Sequence, residues 1–359
     1  MSIRLLLVPV IFAGCVPSTA PVESELALRR DVLHALHTEV VAAGYADLTA
    51  RSAVLSDAAS AFCTAPDAAG LEAVRTAWLE ARTPWKQLEV VGFGPVVDEP
   101  YRFGPLLDFW PVRETVVDDL LASEAPVGPA DVATFGASTR GFPVLDYLLW
   151  GPGEGSLDAF VASPRRCTYV ASLSADLHTN AAALEAAWVA YAPALEDPAA
   201  AGTLPYADTQ EVVDEWVNRM LFTIDDIRAE KLGKPLGDSS GGVPLTDAVE
   251  SRYSGRSLRD TRDAFAGVER LFEGEPTGFQ ELMPDSRTPI GFFEDFAERR
   301  RLAREALEAI PETLEESVVA APDRVVAAQD ALREVQVSIQ VDMAQALGVT
   351  LAFNDNDGD

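Results

Sequence analysis

Residues 138–151 read STRGFPVLDYLLWG, and they set one carboxyl group, Asp146, in the first turn of a helix. Gly141-Phe142-Pro143 opens that helix, because proline suits a first-turn position whose N–H would be unpaired anyway. A carboxylate there can hold a cation or carry a proton; it can equally answer the partial positive charge of a helix N-terminus and do nothing more. A second constellation lies upstream. Trp78, Arg82, Trp85 and Glu89 are spaced by four, three and four residues, so on a helix they form one stripe. An Arg and a Glu between two Trp make an odd core, since buried charges must be paired. Either the stripe is a Trp-rich packing face with an ion pair at its rim, or it faces the same cavity as Asp146. Thr83-Pro84 inside the stripe predicts a kink.

The chain has three histidines. His34 and His37 lie three apart on a first helix, a spacing that suits two ligands of one metal or an inert, partly exposed pair. His178 falls off the apolar face of its helix and is expected to face solvent. No HExxH is present, so a zinc protease of that kind has no visible machinery. Neither a GxSxG elbow, a Walker A loop nor a dinucleotide glycine pattern occurs. The tail FNDNDGD (353–359) resembles a calcium loop, but counting back from Gly358 puts Phe353 at the first ligand position and no bidentate Glu follows. A calcium site there would need another loop; a frayed acidic end is the alternative. Beyond Cys15 only Cys63 and Cys167 remain. In an oxidising compartment an even pair predicts a disulfide between the end of the first helix and the start of a long one; two buried thiols are the alternative.

The elements that must position these groups are helices. Cys167, Val170, Ser174, Leu177, Ala181, Leu184, Trp188 and Tyr191 recur at steps of three and four, as do Leu332, Val335, Ile339, Met343 and Leu347. Pro322-Asp323 start the last helix and Gly348 stops it. Further helices are expected at 25–62, 69–91, 112–122, 142–150, 208–231, 257–273 and 291–317, with Ser257 and Asp260 as a capping box. No alternating strand pattern stands out. Sections 92–110 and 232–256 are rich in Gly, Pro and Ser and read as long ordered loops that could cover a cavity. Long helices with such stripes bury them most simply in bundles, so the fold class is all-α. Gly-Phe helix starts at 141–142 and 291–292 hint at duplication.

The N-terminus carries Arg4, an apolar run from Leu5 to Phe12, then Ala13-Gly14-Cys15. Small residues before a cysteine predict a lipoprotein signal peptide at 1–14, with Cys15 as the lipidated first residue; an ordinary signal peptide with an incidental Cys is the alternative. Residues 15–24 read as a Pro- and Ser-rich tether. No later stretch offers the roughly 20 apolar residues of a membrane span. The formal net charge is −29. Such a surface repels phosphate backbones, so nucleic acid is a poor partner. Most of this charge is expected to be solvated surface that supports solubility.

Several stretches together resemble the imelysin family: AWLEARTPWKQLEVVGFGPV (77–96), LDFWP (107–111), GFPVLDYLLWG (141–151), NRMLFTIDDIRAEKLGKPLG (218–237), ESRYSGRSLRDT (250–261) and the tail LGVTLAFNDNDGD (347–359). The family's GxHxxE signature falls on the third of these, with Pro143 at the His position and Asp146 at the Glu position. The resemblance implies two helical bundles side by side, 25–237 and 238–359, forming one domain with its site between them. It implies a lipid-anchored envelope protein, facing the periplasm, linked to iron or other metal uptake; Val16 in place of Asp gives no inner-membrane retention signal. The family's alternative activity is that of a metallopeptidase, and a third possibility is a structural or interaction module without ligand. The expected ligand-binding set is Asp146, Arg82, Glu89, Trp85, Trp78, Tyr253 and Ser254, with Asp146 and Glu89 as weak ligands of a divalent metal or iron. Loss of the signature His predicts weaker transition-metal binding than a GxHxxE relative shows, and little or no hydrolysis.

Overall fold

The computed structural model describes residues 20–352 apart from 154, 203, 204 and 275. The lipobox at Cys15 and the FNDNDGD tail lie outside the described residues. Among the described residues there is no strand, and the chain folds as two packed helical bundles. The long helices are α1 (20–64), α2 (Ala68–Gln87), α3 (Glu114–Ala122), α4 (Phe142–Trp150), α5 (Pro164–Glu196), α6 (209–236), α7 (Ser257–Glu273), α8 (Phe292–Glu308), α9 (Leu314–Ala320) and α10 (322–347). Three of them pass through wide π-type turns, at Leu36–Ala42 in α1, Ile227–Gly233 in α6 and Ser338–Met343 in α10.

α1 packs along both α2 and α5. Tyr45, Leu48, Leu55, Ala59 and Phe62 are buried on it, and each large apolar side chain so buried contributes about 1.5–3 kcal/mol. Cys63 and Cys167 are disulfide-bonded with their Cα atoms 5.2 Å apart, across 104 residues of chain, which ties the end of α1 to the start of α5. In the second bundle α8 packs on α10 and α7 on α8; α6, which precedes the expected division at 237, packs on both α7 and α10. The bundles meet chiefly where α7 crosses α2. Gly267 makes that crossing close: a Cβ there would lie 2.0 Å from the carbonyl oxygen of Gln87.

Several expected boundaries moved. The first helix already starts at Ala20. The helix expected at 291–317 is two, α8 and α9, because Pro311 between them has no N–H to continue the ladder. α2 stops at Gln87, one turn after Pro84, where the sequence suggested a run to 91. His178 is half-buried, with Nδ1 3.3 Å from Ser52 Oγ, and does not face open solvent. Ser257 and Asp260 form no capping box: Ser257 is the first helical residue, its hydroxyl has no hydrogen-bond partner among the described residues, and Asp260 is taken by other groups.

Candidate functional site

The stripe on α2 points inward along its length. Trp78, Arg82 and Trp85 are buried. Trp78 donates its indole N–H to the Phe142 carbonyl at 3.2 Å and meets the Phe142 and Trp150 rings edge to face. The Arg82 guanidinium sits 5.2 Å from the Phe142 ring centroid and 5.7 Å from that of Trp78. α4 is therefore locked onto α2 at the turn where it begins. Gly141 makes that turn possible: its φ is +83°, and a Cβ would lie 2.4 Å from the Leu107 carbonyl oxygen.

Beyond Arg82 the interior is ionic. Arg82 Nη1 is 2.9 Å from Asp108 Oδ1, and its Nε donates to Asp260 Oδ2 at 3.1 Å. Lys86 Nζ lies 2.5 Å from Glu89 Oε1, 2.9 Å from Glu250 Oε1 and 3.2 Å from Asp108 Oδ2. Lys231, carried by the wide turn of α6, reaches Glu89 Oε1 at 3.2 Å and Glu250 Oε1 at 3.0 Å. Trp85 Nε1 donates to Asp108 Oδ2 at 2.7 Å. Asp260 also accepts from Ser251 Oγ at 2.5 Å and from Arg256 Nε at 2.8 Å, and Arg256 goes on to Asp263 and to Thr83 Oγ1. Both bundles thus contribute charges to one buried network.

Glu89, Asp108 and Glu250 each offer one carboxylate oxygen within 4.8 Å of the others. Glu89 Oε2, Asp108 Oδ1 and Glu250 Oε2 are buried and accept no hydrogen bond among the described residues, although Asp108 Oδ1 keeps its ion pair to Arg82. Leaving buried oxygens unpaired is costly, so this is where a cation or a ligand donor fits. Burial raises the Glu250 carboxyl, but Lys231, Lys86 and Arg82 outweigh it and hold Glu250 well below its usual range. At Glu89 burial wins over Lys231 and Lys86, and its carboxyl is raised. One member of the trio is firmly ionised while another takes a proton more readily.

Asp146 stands beside this trio and not in it. Its Oδ1 accepts from the Ser254 backbone N–H at 3.0 Å and its Oδ2 from the Tyr253 N–H at 3.2 Å. Burial raises its carboxyl to about 7, against the pull of the Ser254 hydroxyl, the nearby Arg82 and those two backbone N–H groups. Tyr253 therefore reaches Asp146 through its backbone, and Ser254 through both its backbone and its hydroxyl. The Tyr253 hydroxyl instead donates to Glu114, and its ring sits 5.2 Å from that of Tyr147, whose hydroxyl donates to Asp118 at 2.8 Å. No ion pair or hydrogen bond joins Asp146 to Glu89 among the described residues. The metal pair expected from sequence is thus split: Glu89 shares its site with Asp108 and Glu250, and the two oxygens of Asp146 are occupied by the 251–256 loop.

Sequence reasoning missed Asp108, Glu250, Lys86, Lys231 and Asp260. All five sit in stretches whose motif-like character was visible, LDFWP, ESRYSGRSLRD, WKQLE and RAEKLGKP, but nothing in the spacing said that these stretches meet. Among the described residues His34 and His37 gather no further acidic or thiol ligands: both turn Nδ1 to Glu196, at 3.0 and 3.3 Å, and His37 Nε2 lies 3.2 Å from the Trp188 carbonyl oxygen.

The comparisons with known proteins agree with this architecture. A family model described as imelysin matches residues 41–339. Iron-regulated protein A of Synechococcus elongatus is 26% identical over 318 residues, covering 84% of this chain and 82% of that protein. The crystal structure of an imelysin-like protein from Psychrobacter arcticum superposes with a TM-score of 0.77 at 21% identity, covering 91% of this chain and 98% of the other. A structure from Parabacteroides distasonis gives the same TM-score of 0.77 at 18% identity, over 89% of this chain and 95% of that one.

Proposed function

This chain belongs to the imelysin family, and on that premise we propose that it is a lipid-anchored binding protein of the bacterial envelope that takes part in the uptake of iron or another metal ion. The metal is cargo, not a resident cofactor. The observation that carries the proposal is the trio Glu89, Asp108 and Glu250, with buried oxygens that lack hydrogen-bond partners. Hard cations take such oxygen donors. Lys86 and Lys231 already lend the trio positive charge, which weakens cation binding and suits a cargo that must be released. The name of the Synechococcus relative, iron-regulated protein A, supports iron. Anchoring would run through Cys15 into a membrane facing the periplasm, the outer one in view of Val16.

The family model is also named as a peptidase, which keeps a metallopeptidase as the second reading. Hydrolysis needs a metal with an open position and a base to activate water. Here the signature position is the ring of Pro143, and both Asp146 oxygens hold backbone N–H groups, so binding is the better supported role.

The test is elemental analysis of protein purified without chelator, followed by melting scans with iron(II), zinc, copper and calcium on the wild type and on Glu250→Gln. A cargo cation should raise the wild-type Tm, as any ligand of the native state does, and raise that of Glu250→Gln by less than half as much. If none of the ions moves the wild-type Tm, the metal-binding proposal falls. Separately, Cys15→Ala should release the protein from membranes; an unchanged membrane fraction would refute the anchor.

A further inference from the structure

The turn before α8 leaves apolar side chains in the open. Ile290 has a relative exposure of 106%, and Phe293, in the first turn of α8, is 42% exposed. The packing of that helix is carried by its neighbours, with Phe292 stacked on Phe296. Phe293 shares a groove with Leu28 and with Ser24, Glu25 and Arg29 at the start of α1. Leu28 and Leu26 are 46% and 36% exposed, and Arg287 lies 3.9 Å from Glu25. The tip before α8 and the first turns of α1 therefore lie side by side, on the part of the molecule where α1 starts.

A single exposed isoleucine is ordinary. Here several apolar side chains gather beside the start of α1. Five Cα–Cα steps lead from Cys15 to Ala20, and a fully extended chain covers at most about 3.3–3.6 Å per residue, or roughly 17 Å in all. A lipid on Cys15 thus holds the start of α1 close to the headgroups and turns this part of the molecule toward them.

We propose that Ile290, Phe293 and Leu28 form a second, apolar contact with the lipid surface, which sets the orientation of the protein on its membrane; this rests on the lipid-anchor reading above. The partner is a zwitterionic surface. Glu25, Glu281, Asp285 and Glu294 are exposed around the patch, and anionic headgroups would repel them, whereas headgroup ammonium ions would pair with them.

The test couples the mature chain, residues 15–359, through the Cys15 thiol to a maleimide lipid in phosphatidylcholine vesicles. Cys63 and Cys167 are disulfide-bonded and do not compete. Ile290→Trp is compared with the wild type in vesicles with and without brominated acyl chains, which quench indoles that enter the bilayer. The added indole should lose at least half of its fluorescence in brominated vesicles, while the native tryptophans, buried or half-buried, lose little. Equal quenching of the variant and the wild type would overturn the proposal. Because the tether is supplied chemically, this result stands apart from whether cells acylate Cys15, which the Cys15→Ala fractionation decides.

Discussion

Asp146 accepts two backbone N–H groups, one on each oxygen, and an amide could accept with only one. Asp146→Asn would therefore face one N–H of the 251–256 loop with another donor, which costs about 1–3 kcal/mol. The effect should depend on pH. Burial raises the Asp146 carboxyl from 3.8 to about 7 in the folded protein, so folding takes up a proton between those values. Stability from this group is greatest at the low end of that window, falls as pH rises through it, and is level above it. The asparagine does not titrate. The stability deficit of Asp146→Asn should accordingly be larger at pH 5 than at pH 8 in urea melts. A deficit that is the same at both pH values would mean that Asp146 is already ionised at pH 5.

At the scale of the helix, α4 keeps the frame of the family signature without its imidazole. Pro143 and Asp146 are both buried in its first turns, and α2 clamps that end through Trp78 and Arg82. Pro143→His with Asp146→Glu would restore a His and a Glu three apart on one helical face. By calorimetry this double variant should bind zinc or iron(II) at least tenfold more tightly than the wild type. No gain in affinity would assign α4 a purely structural part, with Asp146 holding the 251–256 loop and the ligand chemistry left to Glu89, Asp108 and Glu250.

For the whole molecule, the net charge of −29 and the buried ion network respond differently to salt. Repulsion among exposed carboxylates is screened within a Debye length of about 10 Å at 0.1 M, whereas buried pairs are screened much less. Raising sodium chloride from about 10 mM to about 0.5 M should therefore raise Tm, since it relieves surface repulsion and leaves Arg82, Lys86 and Lys231 paired. A Tm that falls with salt would show that the exposed ion pairs on α8, such as Arg301 with Glu298 and Glu305, outweigh the repulsion.

Local patterns settled much in advance. Steps of three and four along 167–191 and 332–347 dictate amphipathic helices whatever their partners, because the α-helix itself puts such residues on one face. The spacing of Trp78, Arg82 and Trp85 likewise dictated a shared stripe, with Glu89 falling in the separate turn after α2, and the paired Cys63 and Cys167 pointed to the bond that the structure contains. What the sequence could not say was which stripes meet. Asp108, Lys231 and Glu250 are far apart along the chain and sit on a loop, a wide helical turn and another loop; no periodicity links them. Asp108 meets Lys86 within the first bundle, whereas Glu250, just before α7, and Lys231, on α6 packed against α7, come from elements around the crossing of α7 over α2, which is close because Gly267 has no side chain. The same holds for Asp146: its place in the first turn of a helix was legible, but its partners, two backbone N–H groups more than a hundred residues away, exist only once the two bundles have packed. Side-chain chemistry and helical period are local properties, while a site built between bundles depends on contacts of long sequence separation, which tertiary structure alone decides.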